Sequence, residues 1–322
     1  MKKKITILAI ILLVVAGLGS CKPSSGELSD SIITVDVTKS YPKKELILQE
    51  FMDVEYITLE TTDEFLCQGE VQAIGKEFII VRNLINDGDI FIFDEKGKGL
   101  RKINRKGQGG EEYSNISGIT LDEDNGEMLV IETGANRIMV YDLYGRFKRC
   151  LRYQEGSNYR DVFNFDKERL ICWENSFSFV MGTVEKPPFV IISKQDGSIV
   201  NEVQIPFEHK ISASILIIDG QSVTVMPTNS ASISSISILP VRHFPIIPYN
   251  DSWILTEPSS DTVFRFLPDY SMIPFMVRTP SVQSMNPEVF LFPRILSERY
   301  FLMETVKKEF PDRPKTDIYG NV

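Results

Sequence analysis

Short apolar runs separated by glycine, asparagine or aspartate turns recur along the chain. Residues 71–81 (VQAIGKEFIIV) and 118–132 (GITLDEDNGEMLVIE) each contain two such runs around a turn, and the form returns at 162–174, 215–227 and 245–257. Two runs rich in β-branched or aromatic residues around a turn of this kind predict a β-hairpin. The pattern therefore predicts a series of hairpins along most of the chain.

A second pair of predicted strands follows the early hairpins. Residues 90–103 (IFIFDEKGKGLRKI) match residues 138–151 (IMVYDLYGRFKRCL) with Gly97 over Gly145, and the form returns at 189–203. Four strands in a repeat of about 40–50 residues are typical of β-propeller blades. The continuous apolar character of IFIF also fits a strand that is covered on both faces. We therefore predict an all-β propeller in one circular domain.

The segment RKGQGGEEY at 105–113 contains three glycines and invites comparison with phosphate-binding loops. Such loops are followed by a helix whose N-terminus receives the phosphate. Here GITLD at 118–122 predicts a strand instead, and no Lys-Ser or Lys-Thr pair closes the loop. The glycines are therefore interpreted as a bend in the crossover between two blades.

The amino terminus has the features of a secreted bacterial lipoprotein. A cationic start at 2–4 precedes an apolar run at 5–18 that would span about 21 Å as a helix, too short for a membrane core of about 30 Å. The run ends in LGSC, which resembles the bacterial lipobox and implies acylation of Cys21. These features divide the chain into a signal peptide at 1–20, a lipidated flexible tether at 21–44 and a propeller domain at 45–322.

Charge and cysteine content narrow the range of partners. The formal net charge is −9 at pH 7, and an acidic chain repels nucleic acid, so no nucleic-acid partner is expected. With Cys21 lipidated, Cys67, Cys150 and Cys172 remain and form no metal-type spacing. They are interpreted as small buried hydrophobic residues, with a Cys150–Cys172 disulfide as the alternative.

The segment from 105 to 147 resembles an NHL-type propeller repeat. The positions that carry this resemblance are Gly107, Tyr113, Glu132, Asn136, Arg137, Ile138, Asp142 and Gly145. The wider chain, from about 45 to 310, resembles the six-bladed NHL-like propeller lipoproteins of bacterial envelopes. That resemblance implies six four-stranded blades. We expect the last blade to be short or incomplete, because the residues after Tyr300 offer no good pair of strands.

Two further segments resemble parts of the same lipoprotein group. Residues 54–64 (VEYITLETTDE) look like its opening strand, which would help to close the ring, and residues 297–310 (SERYFLMETVKKEF) look like its small late helical insertion. The resemblance implies a shape rather than a chemistry, because a propeller supports many activities.

The function predicted from the sequence is binding rather than catalysis. His209 and His243 lie in no zinc-binding pattern, no G-x-S-x-G nucleophile motif is present, and no catalytic residue or cofactor is predicted. We expect a lipid-anchored binding or scaffolding module of the cell envelope, facing the periplasm or on the outer membrane, with a protein or glycan partner. The predicted binding residues are Arg105, Gln108, Tyr113, Arg137, Phe177 and Phe179.

A calcium-dependent hydrolase is the alternative function. Residues that end the second strand of successive blades would surround one mouth of the central channel, and carboxylate and amide oxygens there suit Ca²⁺. Lactonase-like propeller hydrolases use such a ring. The candidate ligands are Glu132, Glu174, Asn175, Asn229 and Glu257. A competing interpretation is that these side chains cap strand ends and pair with neighbours such as Arg137.

Overall fold

The computed structural model describes residues 32–40, 45, 47–83, 87–174, 186–211, 215–218, 221–223, 236–239 and 244–308 of the chain. The chain divides into two compact units, Met1–Ile33 and Thr34–Val322, and the second carries the sheets. In the part of the chain that the structure describes, no helix has the length and apolarity needed to traverse a bilayer.

Strand β1 (Ile33–Asp36) is followed along the chain by three antiparallel sheets of four strands, each in simple sequence order. The first sheet contains β2 (Gly69–Ile74), β3 (Phe78–Asn83), β4 (Asp89–Asp94) and β5 (Gly99–Asn104). The second contains β6 (Gly118–Asp122), β7 (Glu127–Glu132), β8 (Arg137–Asp142) and β9 (Phe147–Arg152). The third contains β10 (Tyr159–Asn164), β11 (Arg169–Glu174), β12 (Phe189–Ser193) and β13 (Ile199–Val203). These sheets confirm the predicted four-stranded blades.

Three further sheets follow the third sheet along the chain. A three-stranded sheet contains β14 (Ile215–Ile218), β15 (Gln221–Val223) and β16 (Ile236–Leu239). The next sheet contains β17 (Ile246–Tyr249), β18 (Ser252–Leu255), β19 (Thr262–Phe266) and β20 (Met272–Thr279), with β1 added at the edge beside β20. A hairpin of β21 (Val289–Leu296) and β22 (Phe301–Lys307) follows. Short 3₁₀ turns lie at Leu48–Glu50, Thr133–Ala135 and Val282–Ser284.

The middle strands are apolar because both faces of each sheet are covered. In β7, Val130 belongs to a buried cluster with Ile80 of the first sheet, whereas its neighbour Leu129 belongs to a cluster with Leu170 of the third. Alternate residues of a strand point to opposite faces, so this one strand packs against both neighbouring sheets. Strand β6 also contacts β2 on one side and β10 on the other. The described sheets therefore stack as propeller blades do.

The strand supplied by the N-terminal region differs from the predicted one. Residues 54–60 form no strand. They pass beside the β4–β5 turn, where the N–H of Glu60 donates to the carbonyl of Gly97 at 2.7 Å. Instead β1 pairs with β20, and the N–H of Val37 donates to the carbonyl of Thr279 at 2.9 Å just beyond it. Strand β1 thus lies within the range predicted as a tether, 21–44.

The predicted helical insertion at 297–310 is also wrong. Strand β22 occupies the middle of this segment and pairs with β21 along its whole length. The ring of Phe301 lies 5.5 Å from that of Phe275 and 6.3 Å from that of Tyr249, in the sheet of β17–β20. These aromatic contacts and the ladder to β21 outweigh the weak helical preference of the segment.

The three described cysteines are free thiols, so the Cys150–Cys172 disulfide does not form. Cys172 is fully buried among residues between the second and third sheets, whereas Cys150 packs against the cluster between the first and second. Burial raises the pKa of both thiols. The interpretation as a small buried hydrophobic residue is confirmed for Cys172, whereas Cys150 is only partly buried.

Candidate functional site

The glycine-rich segment 105–113 is a closed loop between β5 and β6. The backbone N–H of Gly107 donates to the carbonyl of Tyr113 at 3.0 Å, and the N–H of Gly109 donates to Oε2 of Glu112 at 2.8 Å. A phosphate cradle requires N–H groups that are free to bind the ligand. Here the N–H groups of Gly107 and Gly109 are already bonded to acceptors within the loop. This supports the interpretation of the segment as a crossover between blades.

Tyr113 anchors this loop to the core. The structure leaves 0% of the residue exposed, so its ring offers no surface to a binding partner. Its hydroxyl donates to the carbonyl of Gly88 at 2.7 Å and accepts from the N–H of Arg105 at 2.9 Å. The ring packs edge-on against Tyr141 at 5.9 Å, and burial raises the pKa of Tyr113 to about 12. The prediction that Tyr113 contacts a ligand directly is therefore not compatible with its position.

The other predicted binding residues differ in how far they are available. Gln108 is exposed near the tip of the loop. Arg105 is also exposed, but its Nε donates to the carbonyl of Gly145 at 2.7 Å and so helps to fix the loop. Arg137 is half-buried and forms an ion pair with Glu132. Two predicted contacts lie outside the described residues, Phe177 and Phe179.

The predicted calcium ligands do not form one cluster within the described residues. Glu132, Glu174 and Glu257 are all buried, each at the end of the second strand of its own sheet or just beyond it. Over the described ranges, no group of three or more His, Cys, Asp or Glu side chains is close enough together to hold a metal ion. The other two predicted ligands lie outside the described residues, Asn175 and Asn229.

Glu132 joins the crossover to the end of β7. Its Oε1 accepts hydrogen bonds from the N–H of Ser114 at 2.7 Å, the hydroxyl of Ser114 at 2.9 Å and the N–H of Asn115 at 3.3 Å. Its Oε2 accepts from Nε of Arg137 at 2.6 Å, and Nη2 of Arg137 donates to the carbonyl of Glu112 at 2.9 Å. Both oxygens of this carboxylate are therefore engaged by protein donors.

The same contact recurs in the neighbouring sheets. At the end of β3, Oδ1 of Asn83 accepts from the N–H of Gln68 at 3.0 Å, and at the end of β11, Oε1 of Glu174 accepts from the N–H of Asn158 at 3.0 Å. Gln68 and Asn158 directly precede the first strand of their sheet, and Ser114 lies in the crossover that leads into β6. We call this recurring contact the strand-end clasp.

Glu257, beyond the end of β18, has a different set of partners. Its Oε2 lies 2.8 Å from Nζ of Lys210, and its Oε1 accepts from the N–H and the hydroxyl of Ser259 at 3.2 and 2.9 Å. The contacts of Glu132 and Glu257 agree with the interpretation that these side chains cap strand ends and pair with nearby cations.

Glu123, which sequence reasoning did not single out, links two neighbouring sheets. Its carboxylate accepts from the N–H groups of Lys76, Glu77 and Phe78 at 2.7, 2.9 and 3.1 Å. Burial alone would raise the pKa of Glu123, but these backbone donors hold it below its ordinary value. The sequence offers no signal for this contact, because Glu123 is one of several acidic residues in a hairpin turn.

Arg278 is the other residue that sequence reasoning missed. It lies near the end of β20, two positions after the buried Met276, and only 4% of its side chain is exposed. The sequence does carry one signal for Arg278: a charged residue stands at an inward position of a mainly apolar strand. Arginine is seldom fully buried without a partner, so such a position is worth inspecting.

The sequence comparison assigns a family. Residues 24–309 match a protein family described as 6-bladed beta-propeller. The chain belongs to this 6-bladed beta-propeller family. The match includes all of the described sheets, so the fold is a six-bladed β-propeller, as predicted. No curated protein matches the chain significantly.

Solved structures include similar propeller chains. An exported protein from Bacteroides fragilis shares 13% sequence identity with a TM-score of 0.49, and the match covers 77% of this chain. The match covers 60% of the length of the B. fragilis protein. Virginiamycin B lyase from Staphylococcus aureus shares 14% identity with a TM-score of 0.36, and the match covers 74% of this chain and 84% of the lyase.

Proposed function

We propose that this six-bladed propeller is a lipid-anchored binding or scaffolding module of the bacterial cell envelope. Its partner is a protein or a glycan, and it binds at the face that carries the crossovers between blades. Because successive strands are antiparallel, the crossovers and the loops between second and third strands lie on this face, which we call the crossover face. Loops held on a rigid sheet scaffold are common binding surfaces.

The observation that carries this proposal is the crossover loop at 105–113. Tyr113 and Arg105 fix its backbone to the core, while Gln108 and Glu111 remain exposed. A surface loop that is already ordered loses little conformational freedom on binding, so its exposed polar groups contribute more to affinity.

The contacts of the strand-end carboxylates favour binding over hydrolysis. A catalytic calcium ion would need oxygen ligands that are free to coordinate it. Both oxygens of Glu132 and of Glu257 already accept hydrogen bonds or ion pairs from the protein. No observation in the described structure therefore favours the hydrolase as a second function.

The binding proposal is tested with the purified full-length protein in detergent. Glycan arrays and crosslinked co-purification from envelope membranes identify a partner, and Gln108→Ala is then compared with Gln195→Ala. Gln195 is also exposed, but it lies in the β12–β13 turn on the opposite face. We expect weaker binding for Gln108→Ala alone. Equal binding by both variants would remove the crossover face from the proposal.

The membrane anchor rests on the N-terminal sequence, and Cys21 lies outside the described residues. Metabolic labelling with a radioactive fatty acid should label the wild-type protein in the membrane fraction. Cys21→Ser should lose both the label and the membrane association. Labelling that survives this substitution would contradict lipidation at Cys21.

A further inference from the structure

Exposed apolar and cationic side chains lie together on the first two sheets, at the face opposite the crossover face. This opposite face carries the turns between third and fourth strands, at 95–98 and 143–146 in these sheets, and we call it the turn face. Tyr56 is 86% exposed and Tyr144 is 66% exposed. Six exposed residues in or beside the two turns form the rim patch: Tyr56, Ile57, Lys98, Leu100, Tyr144 and Arg146.

Contacts on both sides of β5 make the rim patch continuous. A Cβ placed at Gly97 would lie 3.1 Å from Cγ2 of Ile57, so the segment that contains Ile57 lies against the 95–98 turn. On the other side of β5, the guanidinium of Arg101 lies 4.2 Å from the centre of the Tyr144 ring. The residues at the start of β5 therefore have Ile57 on one side and Tyr144 on the other.

The charge of this region is opposite to that of the whole chain, which has a formal net charge of −9. Residues 94–106 contain six cations and two carboxylates, and residues 142–152 contain four cations and one carboxylate, which gives these two segments a net charge of +7. Three further carboxylates contact these segments and lower the local charge to +4: Glu60, Asp89 and Glu127. The outer strands β5 and β9 and the turns before them therefore attract anions.

The N-terminal part of the chain enters the propeller from the side of the turn face. Strand β20 follows the β19–β20 turn on that face and ends at Thr279, towards the crossover face. Val37, just after β1, donates its N–H to the carbonyl of Thr279 at 2.9 Å. Since β1 precedes Val37 and pairs with β20, the two strands run parallel, and Thr34 lies nearer the turn face than Val37 does. Twelve residues, 21–32, connect this side to Cys21 and span at most about 40 Å.

These features fit the surface of a lipid bilayer with anionic headgroups. Lysine and arginine are attracted to such a surface, and tyrosine is enriched at the boundary between headgroups and acyl chains. Leucine and isoleucine side chains gain from leaving water at this boundary, whereas an acidic polysaccharide has no apolar layer to receive them. A tether raises the local concentration of the propeller at the bilayer, so a weak contact is enough to orient it.

We propose that the rim patch docks on the headgroup region of the bilayer that holds the Cys21 lipid, and that the crossover face thereby points away from this bilayer. This inference rests on the lipid anchor of the proposed function. Asp196 and Asp269 are exposed in the corresponding turns of the third sheet and of the β17–β20 sheet, and an anionic surface repels them. The contact is therefore confined to the first two sheets.

Brominated lipids test this contact, because bromine quenches tryptophan fluorescence only at close range. The full-length lipidated protein is reconstituted into vesicles of phosphatidylglycerol and brominated phosphatidylcholine in equal parts. Tyr56→Trp and Tyr144→Trp each place a tryptophan in the rim patch, and Gln108→Trp places one on the crossover face as the matched control. After subtraction of the wild-type signal, we expect strong quenching at positions 56 and 144 and none at position 108.

The electrostatic part of the contact is tested by removing one cation at a time from the Tyr56→Trp protein. Lys98→Gln and Arg146→Gln should each lower the ratio of docked to undocked propeller about fivefold, which is the contribution of one cation at an anionic surface. Arg152→Gln is the control, because Arg152 is exposed at the crossover end of β9 and its replacement removes the same charge. This control should leave the quenching unchanged, whereas added salt should reduce it.

Flotation with the vesicles reports the lipid anchor separately. Protein that does not float would overturn the anchor and this inference with it. Protein that floats but is quenched equally at positions 56, 108 and 144 would overturn the docking of the rim patch and leave the anchor in place. Quenching that disappears when the acidic polysaccharide polygalacturonate is added would assign the rim patch to a glycan and would also overturn the inference.

Discussion

Replacing Glu132 with alanine tests whether the strand-end clasp stabilises the propeller. The substitution removes the acceptor for the N–H groups of Ser114 and Asn115, and for the hydroxyl of Ser114. It also removes the carboxylate that pairs with Arg137 at 2.6 Å. The crossover before β6 would then be joined to the end of β7 by weaker contacts.

The size of the effect follows from burial. Glu132 is 1% exposed and the side chain of Arg137 is 16% exposed, so most of this pair is shielded from water. Removing one partner of a buried ion pair costs about 3–5 kcal/mol of unfolding free energy. Because Arg137 keeps its bond to Glu112 and some contact with water, we expect the lower end, about 3 kcal/mol.

The assay is thermal unfolding with a matched control and a conservative variant. A loss of about 3 kcal/mol should lower the melting temperature by about 6 °C or more in a domain of this size. Glu132→Gln keeps the shape and one acceptor but loses the charge, so about 1–2 kcal/mol should be lost. Glu168→Ala is the control, because Glu168 is exposed in the β10–β11 turn and its replacement should cost less than about 0.5 kcal/mol.

Two results would refute this reasoning. One is a melting temperature for Glu132→Ala that matches that of Glu168→Ala. The other is a rise in the wild-type melting temperature with millimolar Ca²⁺ that Glu132→Gln abolishes, since this would assign the carboxylate to a metal site. We expect Ca²⁺ to leave the melting temperature unchanged.

Three further predictions concern turns, charge and pH. Gly97→Ala should lower the melting temperature more than Gly126→Ala does. Both glycines have a positive φ, which costs an alanine about 1–2 kcal/mol at either position. At Gly97 the new Cβ would also lie 2.3 Å from a backbone oxygen, whereas at Gly126 it would meet open space. Lys194→Leu should cost about 3–5 kcal/mol in denaturant unfolding, because it leaves Asp122 buried and unpaired; adding Asp122→Leu should recover most of the loss. Burial opposes ionisation of Glu127, but Arg149 and Lys148 hold its pKa below the ordinary 4.5. The ionised carboxylate therefore stabilises the folded protein above pH 4.5, and this stabilisation is lost as the pH falls through the pKa of the folded state. The melting temperature of Glu127→Gln should therefore fall less steeply below about pH 4.5 than that of wild type; equal slopes would contradict this.

The repeated strands could be predicted from the sequence because each blade carries its own local signals. The turn at 75–77 and the apolar runs on either side of it specify β2 and β3 without reference to distant residues. Closure of the ring depends instead on contacts between residues far apart in the sequence. Whether β1 or residues 54–60 joins the last strands depends on pairing across most of the chain, and neither segment differs enough in composition to decide it.

In the candidate site, too, features set by neighbouring residues could be predicted from the sequence, and features set by distant residues could not. The glycine-rich loop could be recognised as a crossover because a strand, not a helix, follows it. The burial of Tyr113 could not be predicted, because the acceptor of its hydroxyl is the carbonyl of Gly88, in another loop. The environment of Arg278 likewise depends on Met285 and Leu291, which only the folded chain brings beside β20.

An experimental structure of the full-length protein in millimolar Ca²⁺ tests the central claim most directly. That claim is that the strand-end clasp of Glu132 joins the crossover before β6 to the end of β7. We expect Oε1 of Glu132 about 2.7 Å from the backbone nitrogen of Ser114 and Oε2 about 2.6 Å from Nε of Arg137, with no metal between them. A calcium ion at about 2.3–2.6 Å from Glu132, with Arg137 displaced, would contradict it.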